Sequence, residues 1–145
     1  MIKNLRVYSE DIYVNKRAIH SLISDIKQDY DFAIKSLSIS FIKSDELLEI
    51  NRKFLGHNYE TDVITFNYSN QKKIIDGEIL ISFEEAKLNS KKYNVAFGRE
   101  LNRLVIHGLL HLLDFDDKNI ESKKIMKKEE NKLVNRYNFT LFAGK

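Results

Sequence analysis

The sequence predicts an α/β (α+β) fold: a single compact domain in which a small mixed four-stranded sheet is packed with about five helices. Three observations predict it. Lys35 to Ile42 alternates strictly, with Leu37, Ile39 and Phe41 on one side and Ser36, Ser38 and Ser40 on the other, the period of a half-buried strand. Short strand-like segments and longer segments of helical apolar spacing follow one another in the order β, α, β, α, β, β, α, α, α. The chain has 145 residues, 43% of them hydrophobic and 31% charged, which supports one globular core and excludes a disordered chain.

Taken in order, Ile2 to Tyr8 is the first strand, with Leu5 and Val7 flanking Arg6. Asn15 caps a helix to about Tyr30 whose apolar face is Ala18 or Ile19, Leu22, Ile23 and Ile26; His20 on this helix reads as a solvated surface residue. After the Lys35–Ile42 strand, Ser44 caps a second helix, with Asp45 and Glu46 favoured in its first turn by the helix dipole and Leu47, Leu48, Ile50 and Phe54 turned inward. Gly56-His57-Asn58 breaks it. Thr61 to Tyr68 is the third strand, Asp76-Gly77 a turn signal and Glu78 to Ser82 a buried fourth strand. Ser82 to Glu85 has the spacing of a capping box and starts a helix to about Tyr93. Phe97 to Leu113 is an apolar helix, with Leu101, Leu104, Val105, Gly108 and Leu112 facing the core. Asn119 caps a last helix to about Tyr137, with Ile120, Met126, Leu133, Val134 and Tyr137 inward. Its Lys123, Lys124, Lys127 and Lys128 read as a solvated face mixed with glutamates. A helix separates the second strand from the third, which makes at least one parallel pair plausible.

The net charge of +3 is compatible with nucleic acid without demanding it. There is no cysteine, so disulfides and thiolate ligands are excluded and any metal must sit on nitrogen and oxygen. No apolar run resembles a signal peptide or spans a bilayer, and a cytoplasmic protein without a membrane partner is the expectation.

The chemistry centres on His107-Gly108-Leu109-Leu110-His111-Leu112-Leu113-Asp114-Phe115-Asp116-Asp117. His107 and His111 are one helical turn apart and share a face. Asp117 follows six residues after His111, placed to return from the turn beyond the helix as a third ligand. Three protein ligands leave a coordination position open, the arrangement of a catalytic zinc. Two core histidines held by hydrogen bonds are the competing reading, and local spacing alone leaves the two about equal. Gly108 stands where the His-Glu-x-x-His signature puts the base of a zinc peptidase, which weakens a peptidase assignment. Gly108 costs helix propensity, roughly 1 kcal/mol, so a close neighbour is expected there.

The segment HGLLHLLDFDD resembles the HGxLHLxGYDH signature of the bacterial YbeY-type endoribonucleases, the rRNA maturation factors. INRKFLGHNYETDVITF and DGEILIS resemble two further blocks of that family, in the same order, so the resemblance covers about residues 37 to 117. It implies a compact α/β metalloprotein that cuts single-stranded RNA, matures the 3′ end of small-subunit (16S) rRNA and takes part in ribosome quality control. Its implied partners are rRNA and the ribosome or its small subunit. Its implied cofactor is one zinc ion per chain on His107, His111 and Asp117. Asp117 stands where the family usually has histidine, Asp114 where it has glycine, and Leu55 where it has an arginine that suits a phosphate contact. Aspartate is among the less costly replacements if that position is left-handed.

The resemblance places Thr61 and Asp62 at the site, where a simple strand-start turn is an equal reading. Glu100 shares the histidine stripe, as a partner of an imidazole or as an exposed first-turn acid. Arg52, Lys53 and His57 are candidate RNA contacts, with Tyr59 to stack on bases, although solvation explains each one singly. The general base is not identified. Another zinc hydrolase, or a ribosome-associated binding factor with a structural metal, are the alternative functions.

Overall fold

The computed structural model describes residues 1–138. The described elements are β1 (Leu5–Ser9), α1 (Lys16–Tyr30), β2 (Ala33–Ile42), α2 (Ser44–Leu55), β3 (Val63–Asn67), β4 (Ile74–Ser82), α3 (Phe83–Lys92), α4 (Phe97–Leu112) and α5 (Ile120–Arg136). The sheet order is β1-β2-β4-β3, with β1/β2 and β2/β4 parallel and β3/β4 antiparallel. Parallel pairing therefore occurs, but β2 and β3 are not neighbours. The chain passes from β2 through α2 to the edge strand β3 and returns as β4 between them. No described helix is long and apolar enough to cross a membrane.

Alternation along β4 builds two apolar layers. Ile75, Ile79 and Ile81 join Leu37, Ile39 and Phe41 of β2 in the main core, which α1, α4 and α5 cover with Ile19, Leu22, Ile23, Leu101, Val105, Leu133 and Val134 among others. Leu80, offset by one, packs on the other face with Leu47 of α2 and Ile64 of β3. Helix α4 lies deep: Leu101, Leu104, Val105, Ile106, Leu109 and Leu110 are all buried, leaving one polar stripe of Arg99, Glu100, Arg103, His107 and His111.

Several local expectations are corrected. The Asp76-Gly77 pair is no turn; it lies inside β4, paired with Ser36 and Leu37. Glycine is needed there for close approach, because a Cβ on Gly77 would stand 2.4 Å from the Phe66 carbonyl oxygen. His20 is buried, and its Nδ1 accepts the backbone N–H of Ile2 at 3.1 Å. Ser44 is the first residue of α2, not its cap: Lys43 is the N-cap, and Glu84 accepts the Ser44 N–H at 2.7 Å. Phe54 and Ile120, expected inside, are 62% and 76% exposed. Ser82 does cap α3, accepting the Glu85 N–H at 3.1 Å. Asn119 caps α5 in a reciprocal box with Ser122.

Candidate metal centre and its surroundings

Gly108 lets α4 lie against the sheet. A Cβ at that position would stand 2.7 Å from Ile79 Cγ2, so the close neighbour expected from the sequence is the central strand itself. This seating fixes the helix face that carries His107 and His111. Their rings lie 4.8 Å apart between centroids at 76°, both half-buried. The chain then reverses. Asp114 is left-handed (φ 72°), its N–H bonds the His111 carbonyl at 3.1 Å, and the Phe115 N–H bonds the Leu110 carbonyl at 3.0 Å. This is a Schellman end with aspartate at the left-handed residue. Phe115 packs edge-on against Tyr30 of α1, and the loop brings Asp117 back to the histidines. One ligand atom from each of His107, His111 and Asp117 lies within 4.8 Å of the others. The three therefore can hold a metal ion. Their two nitrogens and one oxygen suit a borderline or hard divalent metal, with further positions left for other ligands.

The imidazole of His107 is gripped from α5. Its Nδ1 lies 2.5 Å from Glu130 Oε1, and Glu130 is only 1% exposed. Burial pushes the Glu130 carboxyl up, but the bonds and charges of His107 and Arg103 prevail and hold it down at about 2. An ionised carboxylate only accepts, so Nδ1 of His107 is the donor in this bond and Nε2 is the nitrogen left to a metal. Glu130 Oε2 also accepts from Arg103 Nη1 at 3.0 Å, and Arg103 closes a bidentate pair on Glu100 through Nε at 3.0 Å and Nη2 at 2.5 Å. Burial lowers and the two carboxylates raise the Arg103 pKa, for a net rise that keeps the guanidinium charged. Burial, then the neighbouring His107, lower the His111 pKa against the pull of Asp117, Asp116 and Glu130. A neutral ring is the form that ligates metal.

The expected site residues divide. His107, His111 and Asp117 come together. Glu100 is 2% exposed, not an exposed first-turn acid, and is bonded to Arg103 and, at 3.4 Å, to Asn89; among the described residues it bonds neither histidine. The carboxylate that bonds an imidazole is Glu130. Asp62 joins the same network, with Asn89 Nδ2 donating to it at 3.0 Å and Arg103 Nη2 at 4.0 Å. Thr61 Oγ1 makes a 3.5 Å contact with the Val63 carbonyl at the strand entry. Arg52, Lys53 and His57 are exposed on α2 and the loop after it, each with a local partner. Arg52 donates to Asn58 and Glu49, Lys53 lies over Phe54, and His57 stacks on Tyr59. A hollow of about 520 Å³ opens beside His107 and Asp117, and none of these three lines it. Arg103 does, and so does Glu130. Sequence reasoning missed both. The signal for Glu130 was its place on the inward stripe of α5 with Met126, Leu133 and Val134, a charge where spacing calls for an apolar side chain.

Residues 5–138 match the family model described as Endoribonuclease YbeY. The chain belongs to the Endoribonuclease YbeY family. A protein of that name from Azobacteroides pseudotrichonymphae is 39% identical over 85% of this chain and 88% of its own length. Another, from Parabacteroides distasonis, is 34% identical over 88% and 91%. The solution structure of a Thermotoga maritima protein superposes with a TM-score of 0.65 at 25% identity, covering 92% of this chain and 88% of the other. The YbeY match spans α4, the loop to Asp117 and α5, so both the ligand group and its Glu130 partner lie inside it.

Proposed function

We propose that this YbeY-family protein is a zinc-dependent endoribonuclease that cuts single-stranded RNA, with one ion per chain on His107, His111 and Asp117. The observation that carries the proposal is the convergence of these three ligand atoms within 4.8 Å. When bound, the metal supplies a Lewis acid for the phosphodiester and a nucleophile near neutral pH. The chain's own residues prepare that site. Glu130 fixes the tautomer and the ring plane of His107. Arg103 bridges the two buried carboxylates, Glu130 and Glu100, and its charge helps hold Glu130 ionised. Asp117 adds a negative charge that a third histidine would not, which favours harder metals in competition with zinc. Arg52, Lys53 and His57, with Tyr59, are an exposed basic and aromatic group on α2 and the loop after it, suited to an unpaired strand. Thr61 and Asp62 stand at the strand entry next to the Arg103 network.

The substrate in the cell is the 3′ end of small-subunit rRNA, processed on the ribosome in the cytoplasm as part of ribosome maturation and quality control. A peptidase on the same site is disfavoured, since Gly108 occupies the place of the peptidase base and even a Cβ there would stand 2.7 Å from Ile79 Cγ2. The loss of the family arginine at Leu55, which is 41% exposed, favours one other reading, a ribosome-associated factor whose metal is structural. Metal analysis of the purified protein, together with cleavage of single-stranded rRNA fragments by the intact protein and by His111→Ala, separates them. The proposal expects bound metal and cleavage in the intact protein and neither in the variant. Metal without cleavage points to the binding factor, and cleavage unchanged in His111→Ala discards the metal enzyme.

A further inference from the structure

The hollow beside His107 and Asp117 has an unusual wall. Its apolar lining comes from Met126 and from Ile120, which is 76% exposed at the start of α5 and has no place in either core layer. Its rim is a stripe at i, i+3, i+4 and i+7 along α5, formed by Ile120, Lys123, Lys124 and Lys127. All three lysines are exposed. Lys127 reaches Glu130 Oε2 at 3.4 Å, whereas Lys123 and Lys124 form no ion pair among the described residues. Glu130 directs most of its bonding inward to His107 and Arg103, so the charge of this lysine stripe is left largely uncompensated beside the hollow. A volume of about 520 Å³ lies within the range of small-ligand sites, roughly 300–1,000 Å³.

We infer that this hollow is a nucleotide subsite: it seats one unstacked nucleotide of the RNA strand next to the scissile phosphate, on the α5 side of the metal. The base lies on the exposed side chain of Ile120, with the buried Met126 beneath it, and the flanking phosphates lie along Lys123, Lys124 and Lys127. Charge complementarity selects a polyanion, and the apolar floor selects a strand whose bases are unpaired, because a duplex hides its base faces. The α5 lysines are then a binding strip, not only a solvated face. This inference rests on the single-stranded endoribonuclease reading above.

The test uses the zinc-loaded full chain and a labelled single-stranded RNA of about a dozen nucleotides, with K123E/K124E/K127E and Ile120→Ser as separate variants. Circular dichroism and the thermal midpoint check folding, which both variants should retain because the changed side chains are exposed. The triple variant is expected to lose at least about tenfold in kcat/KM, carried mostly by a rise in KM. Its dependence of log kcat/KM on log salt should flatten by about 2, from roughly 0.7 per phosphate contact on a single strand. Ile120→Ser is expected to raise KM severalfold without changing the salt slope. Cleavage by both variants with the KM and salt slope of the intact protein overturns the subsite and leaves the enzyme reading standing. An intact protein that neither binds nor cuts the RNA overturns both. An Ile120→Ser variant whose binding is weakened equally on duplex and single-stranded RNA overturns the unpaired-base assignment.

Discussion

Helices α4 and α5 meet at the candidate metal centre but contribute to it by opposite routes. Helix α4 is buried almost all round, and its two histidines stand one turn apart, so their convergence is a property of a single helix. Helix α5 is exposed along most of its length, and what it gives the site is one buried acid, Glu130, that meets His107 across 23 residues of chain. The first contribution is local geometry. The second exists only because α5 docks where Met126, Leu133 and Val134 find the core. The difference teaches that ligands are specified by spacing, while the group that orients a ligand is specified by packing.

The largest effect expected is on the α4 side. His111→Ala should reduce bound metal to far below one ion per chain and RNA cleavage by orders of magnitude, measured by metal analysis and initial rates. Retained stoichiometric metal would show that spacing on α4 does not define the ligand set. On the α5 side, Glu130→Gln should keep the fold and weaken metal binding by roughly 10–100-fold, read by competition with a chromophoric chelator. The cobalt-loaded protein should also show a shifted visible spectrum as His107 reorients. An unchanged affinity and spectrum would break the comparison, leaving Glu130 as a partner for Arg103 alone.

Two glycines sharpen the role of the sheet. Gly77→Ala pushes a Cβ against the backbone oxygen of Phe66 and against Leu112, and should destabilise by roughly 2–3 kcal/mol in urea unfolding. Gly108→Ala meets the Ile79 side chain first, not a backbone atom, and regains helix propensity, so a smaller net loss of about 1 kcal/mol is expected. Equal losses would mean that α4 can slide on the sheet as easily as β3 can move from β4.

A further effect concerns acid. Glu130 ionises more readily in the folded protein, where it is held at about 2, than at its ordinary 4.5. Its stabilising contribution is therefore complete above about pH 4.5 and fades as the pH falls toward 2. In the metal-free protein, the urea midpoint of the parent should fall toward that of Glu130→Gln over this window. Parallel pH profiles would show that the network does not hold that proton off.

Much of the fold was readable. The β2 alternation, the caps at Asn15, Ser82 and Asn119 and the apolar run of α4 are local signals, and the structure uses them as read. The left-handed Asp114 was readable through its resemblance to a glycine position. Misreadings arose where a local rule met a neighbour distant in sequence. Asp76-Gly77 has turn composition, yet the Phe66 carbonyl requires a glycine inside a strand. His20 looked solvated until the Ile2 N–H was laid against it. Glu100 and Glu130 are both buried acids, and only packing decided that Glu130 bonds the imidazole while Glu100 clamps the arginine.

The sequence by itself determined the element order, the two histidines on one helical face and the aspartate six residues beyond, because helical periodicity and turn chemistry act over a few residues. Tertiary structure alone decided that β4 inserts between β2 and β3, that Arg103 joins two interior carboxylates and that the α5 lysines border the metal face. Those are contacts between segments far apart in the chain, and no local pattern records which of them the core will bring together.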